Sequence, residues 1–154
     1  MNNVWRTLID GFTYGGNVMH CIINYSLIVV TVLPHLLKSN PYIRNRNAWL
    51  SALILSLVVQ VIIWFVFNDS GVSVIWSSMA GFNTMILLKR GPDRYGKKLL
   101  LILSLVTALS AIIYYAVTLP LITTCAHVIA VLMGFGFFYL FGAGRRGLNA
   151  SNAG

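Results

Sequence analysis

The sequence predicts an all-α, polytopic membrane protein built as a bundle of five helices. Hydrophobic residues make up 58% of its 154 residues and charged residues only 9%, whereas soluble domains carry roughly 25% charged residues. The charges are also clustered, which leaves four uncharged stretches: 11–37, 47–68, 70–88 and 99–144. Eleven Lys or Arg and three Asp or Glu side chains cannot cover a soluble protein of this size. A cytosolic enzyme, a disulfide-framed secreted domain and a disordered chain are therefore excluded.

The thickness of a bilayer sets the predicted helices. A bilayer core needs roughly 20 residues of apolar helix, so each of the first three uncharged stretches fits one span. The fourth has 46 residues, or roughly 69 Å of helix at about 1.5 Å per residue, and must therefore fold back. The break is predicted at Thr118-Leu119-Pro120, because proline cannot donate a hydrogen bond within a helix. The five predicted helices cover residues 18–37, 49–67, 71–88, 98–118 and 122–142.

The basic residues orient these predicted helices. Ten of the eleven fall in three clusters: Lys38, Arg44 and Arg46; Lys89, Arg90, Arg94, Lys97 and Lys98; and Arg145 and Arg146. The other two connections between helices carry only Asp69. Because basic clusters stay in the cytoplasm, residues 1–17 are expected to form an outer segment, 18–142 the transmembrane domain and 143–154 a cytoplasmic tail. The N-terminus is then outside and the C-terminus inside, and the net charge of +8 indicates membrane loops rather than a nucleic-acid partner.

Four polar side chains are predicted to lie at one depth, close to the outer face. His20 and Asn24 are four residues apart in the first helix and share one of its faces. Ser73 lies at the start of the third helix, and His127 lies early in the fifth. All three helices begin at the outer face, so the four side chains fall within the first two turns. Each is a functional candidate, because a polar side chain inside hydrocarbon is costly.

These residue types suit nucleophilic catalysis. A serine needs an adjacent base, and His127 can take the proton of Ser73 and return it to the leaving group. The side chains of Asn24 and His20, with the backbone N–H of Ser73 at a helix start, can donate to an oxyanion. Gly71 would let the chain turn sharply into the third helix. The uncharged spans offer no carboxylate to orient the histidine, so the arrangement is a Ser–His dyad rather than a triad.

Each of these residues also has a structural interpretation, which is the commoner one for a residue taken alone. Serine and asparagine in membrane helices usually join helices, and a histidine near an interface is often only amphipathic, as we expect of His35. Four such residues at one depth on three helices favour the functional interpretation. No Cys/His spacing or phosphate-binding loop indicates a metal or cofactor. Cys21 and Cys125 are expected to be small buried apolar residues, although a disulfide between them is conceivable.

Three segments resemble the motifs of the rhomboid intramembrane serine proteases. Residues 14–24, YGGNVMHCIIN, resemble the HGNxxHxxxN motif at the start of the second rhomboid helix. Residues 71–74, GVSV, followed by Gly81-Phe82, resemble the GxSG motif and the small and aromatic pair after it. Residues 126–134, AHVIAVLMG, resemble the AHxxGxxxG motif of the last core helix. The order and spacing of the motifs match across about residues 12–142.

The resemblance implies a fold and a set of residue roles. Ser73 would be the nucleophile and His127 the base, and His20 and Asn24 would form the oxyanion hole with the Ser73 backbone N–H. The motif glycines Gly71, Gly81 and Gly134 would support the site. The chain matches helices two to six of a six-helix core, and Val74 stands at the second glycine of GxSG.

Three functions follow as expectations. The first is a serine endopeptidase of a prokaryotic cytoplasmic membrane, whose partners are the lipid bilayer and the transmembrane segments that it cleaves. The second, favoured by Val74 and the unmatched first helix, is a non-catalytic rhomboid-like protein that binds transmembrane helices. The third is a small channel or transporter subunit, for which only Gln60 and Asn83 continue the polar positions inward.

Overall fold

The described part of the chain is entirely helical. The computed structural model describes residues 9, 12–13, 17–36, 48–67, 72–90, 95–118 and 120–142. These residues contain no strand and form five long helices: α1 Val18–Leu36, α2 Ala48–Phe67, α3 Ser73–Arg90, α4 Tyr95–Thr118 and α5 Leu121–Phe137, which continues into a π-helical turn at Phe138–Gly142. The prediction of an all-α chain of five helices is confirmed for these residues.

Three of the five helices are long and apolar enough to cross a membrane. They are α1, the part of α4 from Lys98 to Thr118, and α5 with its π-helical turn as far as Phe141. The apolar part of α2 is shorter, covering Ala48–Ile63, and α3 is the least hydrophobic of the five helices. Length and composition therefore support membrane crossing for three of the five predicted spans.

The low hydrophobicity of α3 is explained by its central position. It packs against each of the other four helices, and every residue from Val74 to Asn83 is buried. A helix surrounded by protein does not need an apolar surface on all sides, provided that its polar groups find hydrogen-bond partners. Its serines, its asparagine and its tryptophan can therefore lie in the core of the bundle.

Contacts between neighbouring helices fix their relative directions. On the α2 side, the Ser56 and Ser78 hydroxyls are 2.5 Å apart, and the Val74 N–H donates to Gln60 Oε1 at 3.2 Å. Going from Ser56 to Gln60 along α2, the contact on α3 moves back from Ser78 to Val74. The two helices are therefore antiparallel. On the α5 side, Trp76 meets His127 and Phe82 meets Phe138, so α3 and α5 are parallel.

Two glycines allow the backbones of α3 and α5 to approach closely. A Cβ atom placed on Gly81 of α3 would overlap the carbonyl group of Val131, and one placed on Gly134 of α5 would overlap the backbone of Ser78 and Phe82. Close approach of this kind replaces side-chain packing by backbone packing, which is common between helices in membranes. The glycines therefore set the separation of the two helices that carry Ser73 and His127.

A hydrogen-bonded network joins α1, α3 and α4 at the end of the bundle opposite to Ser73. Asn83 Nδ2 donates to the Thr31 carbonyl at 2.8 Å and to Ser104 Oγ at 3.1 Å. Because the amide nitrogen is then the donor, Asn83 Oδ1 accepts from His35 Nε2 at 2.6 Å. His35 is buried, 8% exposed, and stacks on Trp49. The expectation of an amphipathic interfacial histidine is therefore wrong, because this ring is held inside the bundle by an amide.

The two close-approach glycines allow a direct test of the α3–α5 contact. We expect Gly81→Ala and Gly134→Ala each to lower the free energy of unfolding by about 1–3 kcal/mol, because the added methyl group meets backbone that cannot rotate away. The matched control is Gly136→Ala, since a Cβ atom there meets nothing within 4 Å. Unfolding of the detergent-solubilised protein by heat or by SDS measures the change. Equal stability of the Gly134 and Gly136 variants would contradict the packing described here.

Candidate functional site

Polar and aromatic side chains from four helices meet at the end of the bundle where α1, α3 and α5 begin. The cluster contains His20 and Asn24 of α1, Trp76 of α3, Tyr115 of α4 and His127 of α5. Three of the four polar residues expected at one depth thus belong to one contact group. The fourth, Ser73, lies one helical turn before Trp76.

The Asn24 side chain is the hydrogen-bonding centre of this cluster. It is fully buried, and its Nδ2 atom donates to the His20 carbonyl and to Tyr115 Oη, each at 3.0 Å. Its Oδ1 atom accepts from Trp76 Nε1 at 2.7 Å. Both amide hydrogens and one acceptor position are therefore in use, and the amide joins α1 to α3 and α4.

His127 is held in one tautomer by its own helix. Its Nδ1 atom lies 2.6 Å from the Thr123 carbonyl oxygen. Because a carbonyl oxygen only accepts, Nδ1 carries the hydrogen, and Nε2 is the basic nitrogen of the neutral ring. The backbone carbonyl thus takes the orienting part that a carboxylate has in a catalytic triad.

Two aromatic rings flank the buried His127 ring. The centroids of Trp76 and Tyr115 each lie 5.2 Å from that of His127, tilted by 38° and 37°. A cation within about 6 Å of an aromatic face is stabilised by the electrons of the ring. A positive charge formed on His127 during proton transfer would therefore lie between two aromatic rings.

Ser73 is the first residue of α3, and its side chain is only partly buried. At this position its backbone N–H has no acceptor within the helix. Among the contacts that the structure describes, no hydrogen bond joins the Ser73 hydroxyl to His127. Catalytic hydrogen bonds are often long or poorly aligned before substrate binds and tighten only in the complex.

Two further hydroxyl groups near the site are buried and unsatisfied. Within the part of the chain that the structure describes, Ser77 Oγ and Thr124 Oγ1 have no hydrogen-bond partner. Ser77 lies one turn after Ser73 on α3, and Thr124 lies just before His127 on α5. A buried hydroxyl without a partner costs free energy, and native proteins carry few such groups.

The motif glycines and Val74 have distinct surroundings. Gly81 and Gly134 lie in the close contact between α3 and α5, one to two turns beyond the polar cluster. Val74 is buried, 4% exposed, and its backbone N–H is bound by Gln60. Gly71 lies outside the described residues.

Cys21 and Cys125 are both free thiols. The Cys21 thiol donates to the Thr13 carbonyl at 3.1 Å, and Cys125 is exposed. The conceivable disulfide is therefore not formed, and the expectation that both cysteines are buried is wrong, because Cys21 is only partly buried and Cys125 is exposed. In the described segments, no group of three or more His, Cys, Asp or Glu side chains could hold a metal ion.

Trp76 and Tyr115 are the site residues that sequence reasoning missed. Tyr115 lies near the end of α4, a helix antiparallel to α1, so its hydroxyl returns to the level of His20 and Asn24. A helix antiparallel to α1, α3 and α5 ends at the level where those three begin. The position of Tyr115 near the end of α4 was therefore a signal in the sequence. No signal in the sequence indicates Trp76, because its contact with Asn24 depends on the rotation of α3 about its axis.

Comparison of the chain with family models, with curated proteins and with solved structures gives no match.

The hydrogen bonds of Asn24 predict a structural cost for its removal. We expect Asn24→Ala to lower the free energy of unfolding by about 1–3 kcal/mol, because it leaves the buried Trp76 N–H and Tyr115 hydroxyl without this partner. The control is Ser26→Ala, an exposed position two residues further along the same helix. Unfolding in detergent gives both values. If the two variants were equally stable, the amide would not be the centre of the cluster.

Proposed function

We propose that this chain is a rhomboid-type serine endopeptidase of the membrane plane, which cleaves transmembrane segments of other proteins. The observation that carries the proposal is the His127 ring, held with Nε2 basic by the Thr123 carbonyl on a helix parallel to the one that begins at Ser73. The contacts of His20 and Asn24 with Tyr115, which in turn flanks that ring, support it further. The motif resemblance gives the class of reaction.

In the proposed reaction Ser73 Oγ attacks the carbonyl carbon of the scissile peptide bond. Its proton passes to His127 Nε2, and the new C–O bond forms a tetrahedral intermediate. The C–N bond then breaks, and the imidazolium gives the proton to the leaving amine. A water molecule next attacks the acyl-enzyme while Nε2 takes its proton, and cleavage of the ester bond restores the Ser73 hydroxyl.

The flanking aromatic rings compensate in part for the missing carboxylate. Each proton transfer to Nε2 places a positive charge on His127, and this charge lies between the rings of Trp76 and Tyr115. The Thr123 carbonyl accepts from Nδ1 in both protonation states, so the ring need not turn during the reaction. A dyad held in this way needs no intramembrane carboxylate.

The proposed oxyanion donors are the Ser73 backbone N–H, the His20 side chain and the Asn24 amide. The Asn24 hydrogens are already donated to the His20 carbonyl and to Tyr115. Asn24 can therefore serve an oxyanion only by exchanging one of these bonds for a bond to the substrate oxygen. Such an exchange is energetically favourable only in the transition state, when the substrate oxygen carries negative charge.

The proposed substrate is a transmembrane helix that unwinds near the end of the bundle where Ser73 lies. A peptide bond within a helix has its carbonyl hydrogen-bonded and shielded, so it must unwind before attack. Residues that weaken a helix, such as glycine and proline, favour that step. We expect substrates to carry such residues near the outer end of their span.

A second candidate function is a non-catalytic membrane protein that binds transmembrane helices. Two observations favour it: the Asn24 amide is committed to structural bonds, and Val74 brings a buried side chain next to Ser73. This protein would need the bundle but not the reactivity of the serine. Labelling of the serine distinguishes the two functions.

The proposal includes a location, the cytoplasmic membrane of a prokaryote, with all five helices crossing the bilayer. In this arrangement α3 crosses inside a ring formed by the other helices, which explains how its polar residues avoid lipid. The polar cluster would face the outside of the cell. Water would then reach the acyl-enzyme from that side.

Activity-based labelling tests the enzyme proposal. We expect a fluorophosphonate probe to label the detergent-solubilised protein, and Ser73→Ala and His127→Ala each to abolish labelling, because the serine is the acceptor and the histidine activates it. The matched control is Ser110→Ala, an exposed serine on α4 that should label like the parent protein. Labelling that survives in Ser73→Ala, or a folded parent protein that does not label, would overturn the proposal and favour the binding protein.

Reporter fusions test the proposed orientation. We expect alkaline phosphatase to be active when fused after Asp69 or Pro120, and a fluorescent protein to fluoresce when fused after Asp93 or Ala153. The physical reason is the retention of basic loops in the cytoplasm. The reverse pattern would place the polar cluster at the cytoplasmic face.

A further inference from the structure

Tyr115 touches three of the residues to which the proposed reaction assigns roles. Its hydroxyl accepts a hydrogen bond from Asn24 Nδ2 at 3.0 Å and lies 3.4 Å from His20 Nε2. Its ring stacks on that of His20, with centroids 5.6 Å apart and planes at 19°, and also flanks His127. It belongs to α4, a helix that carries none of the residues predicted for the site.

Burial separates Tyr115 from its neighbour on the same helix. Tyr115 is only 3% exposed, whereas Tyr114 is 59% exposed. Tyrosines at the ends of membrane helices usually place the hydroxyl at the interface, which describes Tyr114. The hydroxyl of Tyr115 instead turns into the bundle, where a polar group requires a partner.

Counting hydrogens gives the direction of the bond between Asn24 and Tyr115. Asn24 Nδ2 can only donate, so Tyr115 Oη accepts from it and keeps its own hydrogen to donate. The ring nitrogen next to this hydroxyl is His20 Nε2. A hydrogen bond donated to Nε2 keeps the hydrogen of a neutral His20 ring on Nδ1. Accepting one bond also strengthens the bond that the same hydroxyl donates.

We propose that Tyr115 is the positioning residue of the oxyanion side of this site. Its hydroxyl holds the Asn24 amide and, by donating to Nε2, sets the orientation and the tautomer of the His20 ring before substrate binds. The position of the Tyr115 ring follows from packing, whereas its hydroxyl supplies one of the three hydrogen bonds of the Asn24 amide and the contact with His20 Nε2. The effect on reaction rate rests on the proposed protease function, whereas the effect on His20 does not.

The test is Tyr115→Phe, with Tyr114→Phe as the matched control. Phenylalanine keeps the ring beside His127 and His20 and removes only the hydroxyl. Two measurements are made on the full-length protein in detergent. One is the rate of Ser73-dependent fluorophosphonate labelling, and the other is the ring-nitrogen NMR signals of isotope-labelled histidine, with His20 assigned by its loss in His20→Gln.

We expect Tyr115→Phe to slow labelling roughly tenfold, the value of about one buried hydrogen bond in the transition state, and to shift the His20 ring signals. Tyr114→Phe should change neither. Unchanged His20 signals in Tyr115→Phe would overturn the proposal, as would a labelling rate equal to that of the parent protein. If the parent protein shows no Ser73-dependent labelling, the protease function fails, and the His20 signals alone decide whether Tyr115 positions this ring.

Discussion

The structure depends on one constraint, which is that α3 is buried on all sides although it is the least apolar helix. Its buried polar groups need hydrogen-bond partners within the protein, and a group left without one in the described part of the chain, as Ser77 Oγ is, costs free energy. Two asparagines supply the hydrogen bonds that join α3 to α1 and α4. Asn24 reaches from α1 to α3 and α4, and Asn83 reaches from α3 to α1 and α4. The same three helices are thus joined at two levels, and these hydrogen bonds fix the rotation of each helix about its axis. Packing between uniformly apolar faces could not specify that rotation.

The contact between α3 and α5 is stabilised in a different way. The two helices are held by close backbone packing at Gly81 and Gly134. This close approach brings His127 against Trp76 without a polar side chain having to reach across. The ring is oriented instead by the Thr123 carbonyl of its own helix. The position of the proposed base therefore depends on small residues, and its tautomer depends on local helix geometry.

The sequence was sufficient to predict the all-α class and five helices, because runs of uncharged residues mark helices whatever their rotation. It also grouped His20, Asn24 and His127 by depth. It did not predict Trp76 or Tyr115, and it placed His35 at an interface where the structure buries it. These contacts require the rotation of each helix to be known. In helices that are apolar on every side, as α2 is, no hydrophobic periodicity records that rotation. The level of each residue along the bundle was therefore predictable, and the direction in which its side chain faces was not.

The arrangement of the polar groups bears on the choice among the three functions. The two asparagine networks lie along the same three helices, and the apolar side chains of Leu27, Ala80 and Ala108 pack between them. The network that contains His35 is accounted for by its role in joining helices. The network that contains Asn24 differs, because it adjoins a serine at a helix start and a histidine with a defined basic nitrogen. The proposed chemistry is therefore assigned to this end of the bundle.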